Sequence, residues 1–292
     1  MFKANKTEKA MNLRVRCGWR GLLLLCCIAV IAPATVSAQK TAALKARPCP
    51  RIPCITRTGQ TLVDAKIPDD PGIERILKPY SGKVRALNVV IGKLEGELRK
   101  GGVGAGSLGN FVTDGIRSQA SKKVGKPVLL AVTNSGGLRK NTIAAGELRA
   151  IDIFELMPFE NALVQVDLTG EDLTKLLGVI LESRDAQSGA RIRYRTNGDK
   201  PELVSVKLVN AQGQETEIAP DATYSIVTID YLLNLGSGRY SILQRGKNRT
   251  PLGITLRDAI MDYVKAETAA GRAVKATLDG RFENVNPEGQ PQ

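Results

Sequence analysis

The sequence predicts one α+β domain over residues 69–285, and three observations carry that reading. Thr169 with Asp172, and Thr255 with Asp258, are capping boxes, and each opens a run whose apolar residues recur three and four apart. Short apolar or alternating runs at 128–132, 162–168, 203–209 and 224–228 have strand length. Helices and strands follow one another without a regular βαβ rhythm, so they read as α+β.

The chain of 292 residues, 42% hydrophobic, begins with a segment of a different kind. Lys3, Lys6, Lys9, Arg14, Arg16 and Arg20 precede an apolar run, Leu22 to Ala32, and Val36-Ser37-Ala38 puts small residues before Gln39. This is the layout of a signal peptide over 1–38, with Met11 as an alternative start, and the run is too short to span a bilayer. A periplasmic or secreted address is expected. The leader's six basic residues and Glu8 give it +5, so of the formal +13 about +8 stays with the mature chain. That charge is spread out, without a Lys/Arg run interleaved with aromatics, so no specific nucleic-acid site is expected. An anionic surface stays open on charge alone, and a solvated basic surface is the simpler account. Cys49 and Cys54 are the cysteines left after cleavage, and in an oxidising compartment they suggest a small-loop disulfide pinning an extended arm over 39–68. A metal site there is the weaker reading, since two thiols in a chain without histidine leave the coordination incomplete.

Along the domain, Asp69-Asp70-Pro71 opens a helix. Ile73, Leu77, Tyr80, Val84, Leu87 and Ile91 make one apolar stripe, with a kink or break expected near Pro79 and Gly82 and an end at Gly92. Lys93 to Leu98 reads as a short strand, Gly101 to Gly106 as a mobile connection, and Ser107 as the cap of a helix burying Leu108, Phe111, Val112 and Ile116. Ala150 to Leu156 is a short helical segment. Ala190 to Arg195 and Leu203 to Val209 are strands joined by an Asn197-Gly198 turn. A last short strand is expected at Ala276 to Arg281, before a polar tail at 286–292.

The chemistry-bearing stretch is Pro127 to Arg139, PVLLAVTNSGGLR. Its buried strand ends in Asn134-Ser135-Gly136-Gly137, where two glycines free the backbone to turn several N–H groups into one concavity, flanked by the Asn134 amide and the Arg139 guanidinium. Such a loop suits a polar, anionic or hydroxylated small ligand. On spacing alone a tight turn with Arg139 in solvent is the simpler reading.

Several segments together resemble the C-terminal domain of the 5'-nucleotidase and UDP-sugar hydrolase family. They are Asp70-Pro71 with Leu77-Lys78-Pro79-Tyr80, Leu108 to Asp114, Thr133 to Arg139, Met157-Pro158-Phe159-Glu160-Asn161, Leu168-Thr169-Gly170, and Tyr231 to Tyr240, in the family's order. The resemblance implies a single domain whose mixed sheet is packed by helices and which clamps a nucleotide. It implies that Phe159 and Tyr231 stack the base, that Asn134 with Gly136 and Gly137 holds base or sugar, and that Arg139 meets phosphate or ribose oxygens. Base stacking on an aromatic ring is worth about 1–3 kcal/mol whatever the base.

The chain departs from the family in three places. Gly104, Ala105 and Gly106 stand where a basic residue is common, with Arg99 and Lys100 the nearest charges. Leu235-Gly236-Ser237-Gly238 replaces a segment whose acid binds ribose hydroxyls, leaving Ser237 as a weaker substitute. Family hydrolysis belongs to a separate N-terminal two-metal domain rich in histidine, and this sequence has no histidine. The expectation is therefore a nucleotide or nucleoside recognition domain without catalytic residues, metal or cofactor of its own. It would work with a separate metallophosphatase chain, or as a stand-alone binding protein.

Overall fold

In the computed structural model, residues 60, 62–64 and 66–286 are described. The expected signal peptide and the Cys49–Cys54 pair fall outside them, as does the tail beyond 286. From Ala65 onward the chain forms one unit.

Helix α1 spans Pro71–Ala86, and the Asp70 carboxylate at its N-cap accepts from the Gly72 and Ile73 N–H groups at 2.7 and 3.1 Å. The expected break is not there: the helix continues through Pro79 and Gly82. No residue of α1 is buried, so the carbonyl that Pro79 leaves without a helical donor meets water. The helix also ends earlier than its apolar period suggests. Leu87 is the C-cap, and Val89-Val90-Ile91, a β-branched run, leads into strand β1 (Val90–Leu94). Strand β2 is Leu98–Arg99, so the strand expected over 93–98 is two pieces with a bend between.

The glycine connection at 101–106 is a built turn rather than a loose one. Gly106 has φ +65, and a Cβ there would lie 2.4 Å from the Arg99 carbonyl oxygen. Helix α2 (Gly106–Val124) buries Leu108, Phe111, Val112 and Ile116 as expected, but its N-cap is Ala105. The Ser107 hydroxyl instead accepts from the Arg99 N–H at 2.9 Å, tying α2 to β2.

Strand β3 (Leu130–Thr133) is buried throughout. Then come β4 (Thr142–Ile143), β5 (Gly146–Arg149), helix α3 (Ala150–Leu156) and strand β6 (Ala162–Thr169). Helix α4 (Gly170–Glu182) is capped by the Thr169 hydroxyl, which accepts from the Asp172 N–H at 3.2 Å. After β7 (Ala186–Ser188), the strands β8 (Ala190–Asn197) and β9 (Lys200–Val209) form the expected hairpin. Next are β10 (Glu215–Glu217), β11 (Thr223–Ile229) and the short helix α5 (Asp230–Asn234). Strand β12 (Lys247–Thr255), helix α6 (Leu256–Ala269) and strand β13 (Phe282–Asn284) complete the fold. The last strand lies beyond its expected 276–281. Asp279-Gly280 makes a turn, and Arg281 directs its guanidinium to Asp114 and Asp279 at 2.7–3.0 Å.

The central sheet has the order β12-β6-β11-β3-β7 and is mixed: β11 and β3 are parallel, every other pair antiparallel. A second sheet, β10-β9-β8-β13, is also mixed, and β1-β5 and β2-β4 are two-stranded. Helices α2 and α6 pack on each other, and α4 packs on β6 and β11. Leu173, Leu176, Leu177, Ile180 and Leu181 of α4 are fully buried with Leu163, Val166, Ile226 and Val227 of the strands, so helix and sheet share one α+β core, to which α1 contributes no buried residue.

Candidate functional site

Sheet direction decides which loops meet. Because β3 and β11 are parallel neighbours, with Leu130 opposite Ile226, their carboxyl ends finish at the same edge. Because β6 is antiparallel to β11, with Leu163 opposite Ile229, its entry lies at that edge too. Asn134 follows β3, Tyr231 follows β11, and Phe159 to Asn161 precede β6. The carboxyl edge of a sheet is where such loops leave room for a ligand. Here they line a cleft of about 310 Å³ whose walls are Asn134, Gly136, Gly137, Arg139, Phe159, Asn161 and Tyr231.

Six of these seven are residues that the sequence singles out. The two rings are about half exposed, Phe159 at 45% and Tyr231 at 49%, which is not the state of core aromatics. The Arg139 guanidinium carbon stands 5.9 Å from the Phe159 ring centroid, within cation–π range, and Arg139 Nη1 donates to the Gly136 carbonyl at 3.3 Å. Arg139 is the one fully charged residue of the lining. Asn161 has no signal of its own in the sequence beyond its place after Phe159. Ser237 is exposed, outside the cleft lining, with its N–H donating to the Leu235 carbonyl at 2.7 Å.

The glycine loop is built differently from the N–H concavity that the sequence suggests. Ser135–Gly137 form a 3-10 turn, and neither Gly136 nor Gly137 has positive φ. Three N–H groups serve the fold: Ser135 donates to the Asp185 carboxylate at 2.6 Å, Gly137 to the Asn134 carbonyl at 3.2 Å, and Leu138 to the Ser135 carbonyl at 3.1 Å. Space is tight at one of the two glycines: a Cβ on Gly137 would come 3.3 Å from Asn134 Oδ1, whereas one on Gly136 would meet Asn134 Nδ2 at an ordinary contact distance of 3.5 Å. The Asn134 amide lies over the two glycines, and its Oδ1 is a buried acceptor without a partner among the described residues. A buried acceptor left so costs free energy that a ligand donor would return.

Three contacts hold the loops in place. Asp230 Oδ1 accepts from the Ala162 and Tyr231 N–H groups at 3.1 and 2.7 Å, joining the start of β6 to the Tyr231 segment. The Arg139 N–H donates to the Leu156 carbonyl at 2.8 Å, fixing the loop's exit on α3. Buried Asp185 is the third. Arg184, at φ 56, turns the chain inward after α4, so that the Asp185 carboxylate takes the Ser135 N–H on one oxygen and the Tyr240 hydroxyl on the other. Burial, reinforced by that carboxylate, pushes the Tyr240 hydroxyl far above its ordinary pKa, so it stays a donor. Asp185 and Tyr240 carry no sequence signal as a pair, since 55 residues separate them.

Chemically, the cleft offers ring surface, an amide, an unpaired acceptor and one cation. That suits holding a flat heteroaromatic ligand with an anionic or hydroxylated part. Among the described residues no three His, Cys, Asp or Glu side chains are grouped as a metal site. The donor set does not fit a two-metal phosphoesterase centre.

Comparison with known proteins gives this arrangement its relatives. Residues 88–245 match the family model for the 5'-nucleotidase C-terminal domain. The chain is 29% identical over 187 residues to the trifunctional nucleotide phosphoesterase protein YfkN of Bacillus subtilis, covering 61% of this chain and 12% of that protein. It is 27% identical to a 5'-nucleotidase of Vibrio vulnificus, covering 62% of this chain and 32% of the relative. The solved structure of a 5'-nucleotidase precursor from Thermus thermophilus superposes with a TM-score of 0.63 at 26% identity, over 75% of this chain and 44% of that one. The chain thus spans less than half the length of these relatives. The fold, the order of the motifs and a family match over more than half of the chain agree, and the chain belongs to the 5'-nucleotidase C-terminal domain family.

Proposed function

We propose that this chain recognises a nucleotide or nucleoside in the cleft at the carboxyl edge of the central sheet. It would take part in nucleotide catabolism with a separate metallophosphatase chain that supplies the reacting centre. The observation that carries the reading is the convergence of two half-exposed rings, Phe159 and Tyr231, with the partnerless Asn134 Oδ1 and the Arg139 guanidinium on one cleft. In this reading the base stacks on the rings, a base or sugar donor pairs with Asn134, and Arg139 takes phosphate or ribose oxygens. The basic leader and its apolar run support delivery out of the cytoplasm, to the periplasm or beyond. A stand-alone nucleoside-binding protein without catalysis is the second reading, supported by the rings, amide and guanidinium that this chain itself brings to the cleft.

Calorimetric titration with adenosine, AMP and a UDP-sugar tests the proposal. Binding that Tyr231→Ala abolishes, and a phosphate preference that Arg139→Ala removes, is the expected result. Absence of heat with every ligand at millimolar concentration overturns recognition by the isolated chain. Nucleotidase activity raised when a secreted phosphatase chain is added separates the first reading from the second.

A further inference from the structure

Between helix α3, which Met157 closes, and strand β6 lies the stretch Pro158-Phe159-Glu160, all three residues exposed. Its two ends are fixed. The Met157 N–H donates to the Ile153 carbonyl at 2.9 Å, and the Asn161 carbonyl accepts from the Leu256 N–H at 2.7 Å. Between those ends, among the described residues, no backbone group of Pro158, Phe159 or Glu160 takes part in a hydrogen bond. A span held only at its ends is free to rock in the middle, and the middle of this one carries the Phe159 wall of the cleft.

One polar side chain anchors that middle: Glu160 Oε1 accepts from Arg257 Nη2 in an ion pair. Nothing local explains the arginine. It stands in the first turn of α6, where the helix dipole disfavours a cation, and it is 7% exposed, which strips water from the guanidinium. Its Nε is buried without a partner among the described residues. What it gains lies on other elements. The guanidinium carbon is 4.2 Å from the centroid of the Phe154 ring on α3, and the fork reaches the Glu160 carboxylate. Through this one side chain α6 grips both the helix before the stretch and the stretch itself. The Phe154 ring restricts the plane of the guanidinium, and so the place of the carboxylate bonded to it. Glu160 is 72% exposed, so the pair adds little to folding; its effect is on where the stretch sits.

We propose that Arg257 is a positioning residue for nucleotide recognition: seated on Phe154 and holding Glu160, it sets the pose of the Phe159 ring on which the base stacks. The proposal rests on the reading of Phe159 as a stacking ring. Arg257 itself is outside the cleft lining and acts only through its neighbours.

The test is calorimetry of the full chain with adenosine and AMP. Glu160→Gln keeps the length of the side chain and removes its charge, and Arg257→Lys keeps the charge and loses the fork. Each should weaken both ligands by about fivefold and to the same extent, since the base and not the phosphate meets the ring. In a Phe159→Ala background the same substitutions should stay within about twofold, because a group that acts through the ring has nothing left to act on. A merely structural role gives the same loss in both backgrounds. Since Glu160 is exposed, the thermal midpoint of Glu160→Gln should hardly move. The ring is also read without ligand, in Trp19→Phe/Phe159→Trp, which leaves one indole in the chain. There both substitutions should lower the residual fluorescence anisotropy of that indole, as a wider wobble does. If the parent chain gives no heat, the recognition reading fails and the anisotropy decides this proposal alone. A loss of about fivefold that persists in Phe159→Ala, or an anisotropy that neither substitution changes, overturns it.

Discussion

Replacing Asp185 by alanine tests the idea that one buried carboxylate holds two walls of the cleft. Asp185 is 4% exposed, and its oxygens take the Ser135 N–H and the Tyr240 hydroxyl. Truncation leaves the buried Tyr240 hydroxyl and the partly buried Ser135 N–H without their acceptor, at about 1–3 kcal/mol each. The net loss should be about 3 kcal/mol. For a unit of this size that is a fall in Tm of about 6–12 °C. Asp185→Asn keeps an acceptor for Ser135 and presents an amide donor to the Tyr240 oxygen, so it should cost only about 1 kcal/mol. Urea unfolding supplies the measurement, with midpoints compared at unchanged m. A double-mutant cycle with Tyr240→Phe should give a coupling of about 1–3 kcal/mol. The reasoning is refuted if Asp185→Ala stays within about 0.5 kcal/mol of the parent, or if the two substitutions add within that margin. AMP affinity gives a second readout: it should fall further in Asp185→Ala than in Asp185→Asn, because only alanine releases the loop that carries Asn134.

Other outcomes follow from the same geometry. Phe159→Ala and Tyr231→Ala should each weaken nucleoside binding about 5- to 150-fold by calorimetry, the equivalent of about 1–3 kcal/mol of stacking, while the urea midpoint hardly moves because both rings are half exposed. Gly137→Ala pushes a methyl to 3.3 Å from Asn134 Oδ1, so affinity should drop at near-parental stability; equal affinity would mean that Asn134 does not touch the ligand. Thr169→Ala removes the cap of α4 and should cost about 1 kcal/mol in urea unfolding. Burial works against the charged form of Asp279, but the Arg281 guanidinium outweighs it and holds the carboxyl below its ordinary value. The stability from this pair is therefore fully present above the unfolded pKa of about 3.9 and is lost as pH falls through the lowered folded value. Asp279→Asn should flatten the acid limb of stability against pH.

How much of this was legible in the sequence depended on whether the signal was local. Thr169 and Thr255 cap the helices they announce, because a cap needs only a hydroxyl and an N–H three residues on. The fully buried strand at 130–133 declared itself by an unbroken apolar run. Strand β12 did not, and the reason is its place at the sheet edge. One side pairs with β6 and most of the strand is exposed, so Lys247, Arg249 and even Pro251 are tolerated and no alternation develops. The parallel pairing of β3 with β11, which brings Asn134 and Tyr231 to one edge, joins segments far apart in the chain and leaves no trace in either. Asp185 was invisible for a related reason: an acid just past a helix end reads as solvated, and only the fold supplies Ser135 and Tyr240.

The stripe on α1 shows where periodicity stops being informative. Ile73, Leu77, Tyr80 and Val84 repeat with helical spacing as regularly as Leu173, Leu176, Leu177 and Ile180 of α4, yet the first set is at least half exposed and the second is fully buried. Periodicity reports that a face must be covered; it does not name the cover.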